Sequence, residues 1–377
     1  MVELAEIFRR HGPQYREKYD HRMLPSHRQA MRAIVRCRTA ALGGHIYYCH
    51  ECQETQYQYH SCRNRHCPKC QNGKAQQWLE KQVNLLLPVP YFLLTFTLPA
   101  GLRRVARSNQ TLIFNLLFRT SAAASQLLAR DPRFVGGQIG MVGVLHTWGR
   151  NLAYHPHLHY LVPAGGVAAD GQTWRSARKK FLFPVKALSI IFRAKFRDAL
   201  QKTPCYTQVP AAVWKQDWVV HCQPVGNGQT ALKYLAPYIF RVAISNNRIM
   251  KLADGRVTFR YRASETGQTK FSTLSAQEFI RRFLQHVLPK GFVKVRYYGF
   301  FGPGVRPRLA AIRKQLNIGS ASSPTPPEGA NGETQAAITT ANHAVSCPTC
   351  GRLMQLRQVL PPRSDYIAAP VCWRRPP

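Results

Sequence analysis

His155-Pro156-His157-Leu158-His159-Tyr160-Leu161-Val162 runs into the turn Pro163-Ala164-Gly165-Gly166, and this stretch decides how the chain is read. Its second half has the character of a strand, and residues two apart on a strand share a face. His157 and His159 therefore present two imidazoles side by side, a set that can hold one metal ion. Ile139 to Leu145 reads as a neighbouring strand. A divalent ion takes more than two protein ligands, and the third can come from His146, His155, His221, Gln138 or a residue near the tyrosines described next. Imidazole with oxygen ligation is compatible with Mg2+ or Mn2+, although imidazole alone favours softer ions. Two strand histidines can also simply cap a sheet edge; their pairing in a basic chain favours the metal.

Downstream, Ala231 to Arg241 can be helical, which places Tyr234 and Tyr238 four apart with both hydroxyls on one face. A phenol with an ordinary pKa of about 10 attacks only when a base, a cation or a polarised phosphate activates it. Its advantage over water is that a covalent phosphotyrosine conserves the broken phosphodiester bond and can be reversed by a DNA 3′-hydroxyl. Pro237 lies between the two tyrosines. It removes an amide donor and starts a helix better than it continues one, so Tyr234 falls in a turn and Tyr238 becomes the preferred nucleophile. Lys233, Arg241 and Arg248 stand where they can hold adjacent phosphates. Taken alone, the two tyrosines would be ordinary aromatic packing on an amphipathic helix.

The 377 residues carry a formal charge of +36, with 53 Lys and Arg against 17 Asp and Glu. Such a field suits a polyanion, with nucleic acid the natural partner. An anionic membrane is disfavoured, because the basic residues are not gathered on one amphipathic helix and no apolar run is expected to span a bilayer. The first residues, Met1 to Ile7, lack the pattern of a secretory signal. The expected location is a reducing cytoplasm, in association with the cell's DNA.

Six of the eleven cysteines precede position 71 and three lie in the tail, at Cys347, Cys350 and Cys372. Clusters of this kind suit metal sites better than a disulfide framework. Cys49, Cys52, Cys67 and Cys70 form two CxxC units fourteen residues apart, and the expected site is one structural zinc held by these four, with Cys62 or His66 as the replacement ligand. Arg63, Arg65 and Lys69 around it can touch DNA phosphates. Cys347 and Cys350 make a second half site that Cys372 and His343 can complete, or a reduced pair without metal.

Between and beyond these sites the pattern predicts a helix from Gln76 to Leu87 and a strand from Tyr91 to Leu98, then helices around Asn109 to Leu117 and Ser121 to Leu128. Val257 to Arg262 reads as an edge strand after a turn. Ser275-Ala276-Gln277-Glu278 reads as a capping box opening a helix to Pro289 that carries Arg281 and Arg282. Phe292 to Gly299, with Lys294, reads as a basic aromatic strand able to stack bases of single-stranded DNA or to pack in a core. Gly319 to Asn342 is linker-like. The expected units are a zinc-binding and DNA-binding unit at 1–87, a catalytic unit with the tyrosine segment at 88–262, a basic extension at 263–316, a linker at 317–345 and a cysteine-containing tail at 346–377.

Several of these motifs in this order resemble one family. Cys62 to Cys70, Phe96-Thr97-Leu98-Pro99, His155 to Gly166, Tyr234 to Arg248 and Leu288 to Lys294 are similar to the HUH-type, two-tyrosine transposases of rolling-circle insertion sequences, the ninety-one family. The resemblance implies an α+β, ferredoxin-like HUH endonuclease core with an antiparallel sheet, preceded by a zinc-binding domain and followed by a basic region. It matches His157 and His159 to the metal-binding histidines and Tyr234 and Tyr238 to the nucleophiles. It implies nicking of one strand at hairpin-containing element ends, attachment to the 5′ end, and reliance on host replication or helicase machinery, as a monomer or homodimer. The family carries a basic residue where this chain has Pro237. No phosphate loop of the GxxxxGK[ST] type occurs in the sequence. The rival readings are a replication initiator or relaxase with the same chemistry, a non-catalytic zinc-containing DNA-binding regulator, and a metal-dependent hydrolase.

Overall fold

The computed structural model describes residues 2–71, 85–178, 180–228, 230, 243–263, 266–305, 307–318 and 345–363. Lys233, Tyr234, Tyr238 and Arg241 lie outside the described residues, as do His343, Cys372, the linker-like stretch and most of the expected helix from Gln76.

Two helices open the chain, α1 (Leu4–Tyr19) and α2 (Pro25–Arg36), the second begun by a proline whose missing amide costs nothing there. The hairpin of β1 (Gly44–Tyr48) and β2 (Thr55–Tyr59) and the single turn α3 (Pro68–Gln71) follow. Next come β3 (Pro90–Thr97), α4 (Arg103–Ser108), α5 (Gln110–Arg130), β4 (Met141–Trp148) and β5 (Tyr154–Pro163). A short hairpin, β6 (Gly165–Val167) and β7 (Trp174–Ser176), leads to α6 (Val185–Gln201), α7 (Ala212–Lys215) and β8 (Val220–Asn227). The last described elements are β9 (Ile249–Ala253), β10 (Arg256–Arg262), β11 (Thr269–Ser275), α8 (Ala276–Leu284), β12 (Val295–Tyr298), α9 (Arg308–Ile318) and β13 (Gln355–Leu360).

Five strands make the central sheet in the order β12-β4-β5-β3-β8, every neighbouring pair antiparallel. The histidine strand β5 is its middle member. Alternation along β3 sends Phe92, Leu94 and Phe96 to one face, where they pack with Leu158 and Tyr160 of β5, Phe114, Leu117 and Phe118 of α5, and Phe192 and Phe196 of α6. The other face carries Tyr91, Val142, Val144 and Leu161 under Phe300, Phe301, Leu309 and Ile312. A separate core joins α1 and α2 to α8 and the sheet β11-β10-β9, with Phe8 against Phe283 and Phe259 against Phe279. The third sheet, β13-β1-β2, pairs the N-terminal hairpin with the last described strand. The whole is a mixed α/β fold with antiparallel sheets and an N-terminal cysteine cluster.

Four expectations change. The two helices expected near Asn109 and Ser121 are one, because the buried hydroxyls of Thr120, Ser121 and Ser125 donate to the carbonyls of Leu116, Leu117 and Ser121 and so need no break in the helix. This single helix of 21 residues is, by length and composition, apolar enough to cross a membrane, which corrects the expectation that no run reaches that length; here it packs in the core, with 61% of its most apolar stretch buried. Val257 to Arg262 lies in the middle of its sheet, since β10 turns into β9 on one side and pairs with β11 on the other. The Ser275 cap is present, its hydroxyl accepting from the Glu278 amide at 3.3 Å, but α8 stops at Leu284.

Candidate functional site

Register places the histidines. His146 on β4 stands opposite His157 on β5, and His159 lies between Val144 and Thr95 of the flanking strands, with His221 on the far side of Thr95. Directly paired residues share a face, so these side chains form a polar patch on the sheet face opposite α5 and α6. Nitrogens of His146, His157 and His159 lie within 4.8 Å of one another. Their ring centroids are 4.9 to 5.3 Å apart and the planes are steeply inclined, so the rings converge on a point instead of stacking.

Hydrogen bonds orient the rings. His157 Nδ1 donates to the carbonyl of His155 at 2.7 Å, so the neutral ring carries its lone pair on Nε2. His159 Nδ1 is held by the Thr95 hydroxyl at 3.0 Å. Burial pushes His157 down to about 4 and His159, with the neighbouring His157 adding to the effect, down to about 3. Both rings are therefore neutral at physiological pH, the form that ligates metal. Three imidazoles, two of them held neutral by burial, fit one divalent ion and leave room for substrate oxygens. Of the other candidates for a third ligand, His155 is engaged by Arg103 at 2.9 Å, Gln138 bridges to Val167, and His221 is exposed.

The cysteines divide differently from the sequence reading. Sulfurs of Cys37, Cys62, Cys67 and Cys70 gather in one group, and those of Cys49, Cys52, Cys347 and Cys350 in another. The single site expected from Cys49, Cys52, Cys67 and Cys70 is corrected, since the two CxxC units face different partners. In the first group Cys37 and Cys70 approach to 3.3 Å and Cys62 and Cys70 to 3.5 Å, and the Cys62 amide points at the Cys37 sulfur. This is a four-cysteine zinc-binding cluster. His66 is not in it; its Nε2 accepts from the Leu288 amide. Cys37, which follows the end of α2, belongs to neither CxxC unit, so what brings it in is a tertiary event that spacing does not encode.

The basic residues expected to hold DNA have varied surroundings. Arg65 donates to the carbonyls of Pro289 and Phe292, both at 2.6 Å, and so bolts the cysteine knuckle to the segment that leads into β12. Arg248 donates to the carbonyls of Arg260 and Arg150. Arg281 and Arg282 share the carboxylate of Glu278, and Lys69 pairs with Glu3. Lys294 is half-buried, its ammonium pushed down to about 8 by burial. Arg63 is exposed, with φ of 53°.

Comparison with known proteins converges on the same two regions. Residues 7–98 match the family described as "Transposase zinc-binding domain", and residues 140–308, which hold the histidine strands, match that described as "Putative transposase". The chain is 42% identical over 347 residues to the "Putative transposase y4qJ" of Sinorhizobium fredii (strain NBRC 101917 / NGR234), covering 86% of each chain. The chain belongs to the IS91/IS801 type of insertion-sequence transposases. It is also 31% identical over 288 residues to the "Transposase for insertion sequence element IS801" of Pseudomonas savastanoi pv. phaseolicola, covering 71% of this chain and 68% of that one. No solved structure matches it. As a transposase of this type it acts on DNA, in keeping with its charge of +36.

Proposed function

We propose that this transposase nicks and rejoins single-stranded DNA at the ends of an insertion sequence through a 5′-phosphotyrosine, and that its core is the HUH endonuclease fold. The observation that carries the reading is the convergence of His146, His157 and His159 on the middle of a five-stranded antiparallel sheet. These three residues would hold Mg2+ or Mn2+. When bound, such an ion polarises the scissile phosphate and offsets the charge that builds on its oxygens. The Thr95 hydroxyl and the His155 carbonyl keep the two β5 imidazoles in one orientation, and burial keeps them neutral.

Tyr234 and Tyr238 follow soon after Asn227, the end of β8, which is a strand of the same sheet. In the proposed step the phenol oxygen gives up its proton and bonds to phosphorus, the bond from phosphorus to the 3′ oxygen breaks, and the departing 3′ oxygen takes up a proton in exchange, so none is gained or lost overall. Attack by another 3′-hydroxyl reverses each change and restores the phenol. No water is consumed, so the strand is transferred and not hydrolysed. Hairpin-containing element ends are the proposed substrate.

The test is the chemical state of the 5′ end after cleavage. Purified protein, single-stranded element ends and Mn2+ should give a 5′ end blocked by protein, and added 3′-hydroxyl DNA should release it as a joined strand. A phosphatase-sensitive 5′ end that never joins would replace this reading with a hydrolase. Tight binding with no cleavage would replace it with a regulator. Cleavage at an origin in preference to element ends would make the chain a replication initiator.

A further inference from the structure

The second cysteine group lies across the chain, with Cys49 and Cys350, 301 residues apart, bringing their sulfurs to 3.6 Å. Cys49-His50-Glu51-Cys52-Gln53-Glu54 and Cys347-Pro348-Thr349-Cys350-Gly351-Arg352 fold alike. The Cys49 amide donates to the carbonyl of Glu54 at 2.9 Å, and the Cys347 amide to that of Arg352 at 2.7 Å, each five residues on. Each turn places the residue after its second cysteine in the left-handed region, Gln53 at φ 52° and Gly351 at φ 73°. Two matching knuckles thus face each other, and all four sulfur atoms lie within 4.8 Å of one another.

This spacing discriminates between the two kinds of cross-link. A tetrahedral zinc with bonds of about 2.3 Å sets its sulfurs about 3.8 Å apart, whereas a disulfide needs about 2.05 Å. The surroundings reinforce the arrangement. β13 pairs with β1 from Gly44 opposite Leu360 to Tyr48 opposite Gln355. His50 Nε2 meets the Gln355 side chain at 2.9 Å, Arg352 pairs with Glu51, and Met354 and Val345 pack beside Cys49 and Cys347. Among the described residues these knuckles have little apolar core of their own, so a metal would supply what packing does not.

We propose that Cys49, Cys52, Cys347 and Cys350 bind a second structural zinc ion, which closes a zinc ribbon from the two ends of the chain and fixes the C-terminal segment to the N-terminal unit. Residues 7–98, matched to the zinc-binding family, contain the whole of the first cluster but only half of this one. The site is independent of the strand-transfer reading.

The full-length protein, purified with a thiol reductant and in Mg2+, should carry one more zinc ion per chain by native mass spectrometry than its Cys347→Ser/Cys350→Ser variant. Equal zinc in the two proteins would overturn the site. A measurement on the unaltered protein guards against a variant that fails to fold. Under a thiol-alkylating reagent, Cys49, Cys52, Cys347 and Cys350 should be protected together and become reactive together when a zinc chelator is added. Rapid labelling of Cys347 and Cys350 while Cys37, Cys62, Cys67 and Cys70 stay protected would overturn it. So would a disulfide-linked peptide joining the two knuckles.

Discussion

Thr95 shows how much of the site depends on residues that carry no chemistry of their own. Its hydroxyl fixes His159 through Nδ1 at 3.0 Å, the kind of outer support whose loss costs about 10–100-fold in metal affinity. Thr95→Val keeps the shape of the side chain and removes that bond. Calorimetric titration of the variant with Mn2+ should show affinity lower by about that factor, with the melting temperature little changed; unaltered affinity would mean that Thr95 does not orient the ligand. The two β5 histidines were legible in the sequence because strand alternation is a local rule. The third was one of several candidates, because choosing His146 requires the register between β4 and β5, which no residue near His157 encodes. The partition of the cysteines was illegible for the same reason. Spacing identifies knuckles, but which knuckle meets which is settled by packing.

Among the elements, the middle strand of the central sheet is held by a close fit between β4 and β5. Tyr160 is fully buried, its hydroxyl bonded to Ser121 at 2.8 Å, and its ring lies over Gly143 on the opposite strand. A Cβ at position 143 would stand 2.4 Å from Tyr160 Cε1. The ring cannot retreat, because Phe96 and Phe118 pack edge-on against it. Gly143→Ala should therefore destabilise the protein by about 1–3 kcal/mol, as overpacking commonly does. A thermal melt as high as that of the unaltered chain would show that the sheet can widen there. Element type was readable wherever periodicity was strong, as in Tyr91 to Leu98 and in the Ser275 cap. It was less readable in α5, where Thr120 and Ser121 look like a break and instead bond back into the helix. The place of β10 within its sheet depends on β11, a partner that its own alternation does not name.

At the scale of the whole molecule, the histidines buried outside the candidate site make stability depend on pH. Burial pushes His286 from its ordinary 6.5 down to about 4, against the Leu152 carbonyl, which favours the charged ring. Burial, with Arg107 and Arg28 adding to it, does the same to His27. Between pH 6.5 and about 4 the unfolded chain takes up these protons and the folded chain does not. Stability should thus be fully present above 6.5 and decline as the pH falls toward 4, a decline that His286→Gln should lessen in urea titrations across that window. A flat profile would show that these rings charge in place. The same scale explains why charge alone could identify nucleic acid as the partner but not the chemistry done on it. Two of the basic side chains singled out in the sequence, Arg65 and Arg248, serve the fold by holding backbone carbonyls.

The central claim is that the histidine cluster and a tyrosine act together on one phosphodiester. Its most direct measurement is a denaturing gel of end-labelled, single-stranded element DNA incubated with Mn2+ and with the unaltered protein, His157→Ala/His159→Ala or Tyr234→Phe/Tyr238→Phe. The account predicts labelled protein with the unaltered chain alone, and none for either double variant or in the presence of chelator. Undiminished adduct from the tyrosine double variant, or an adduct indifferent to both histidines and metal, would contradict it.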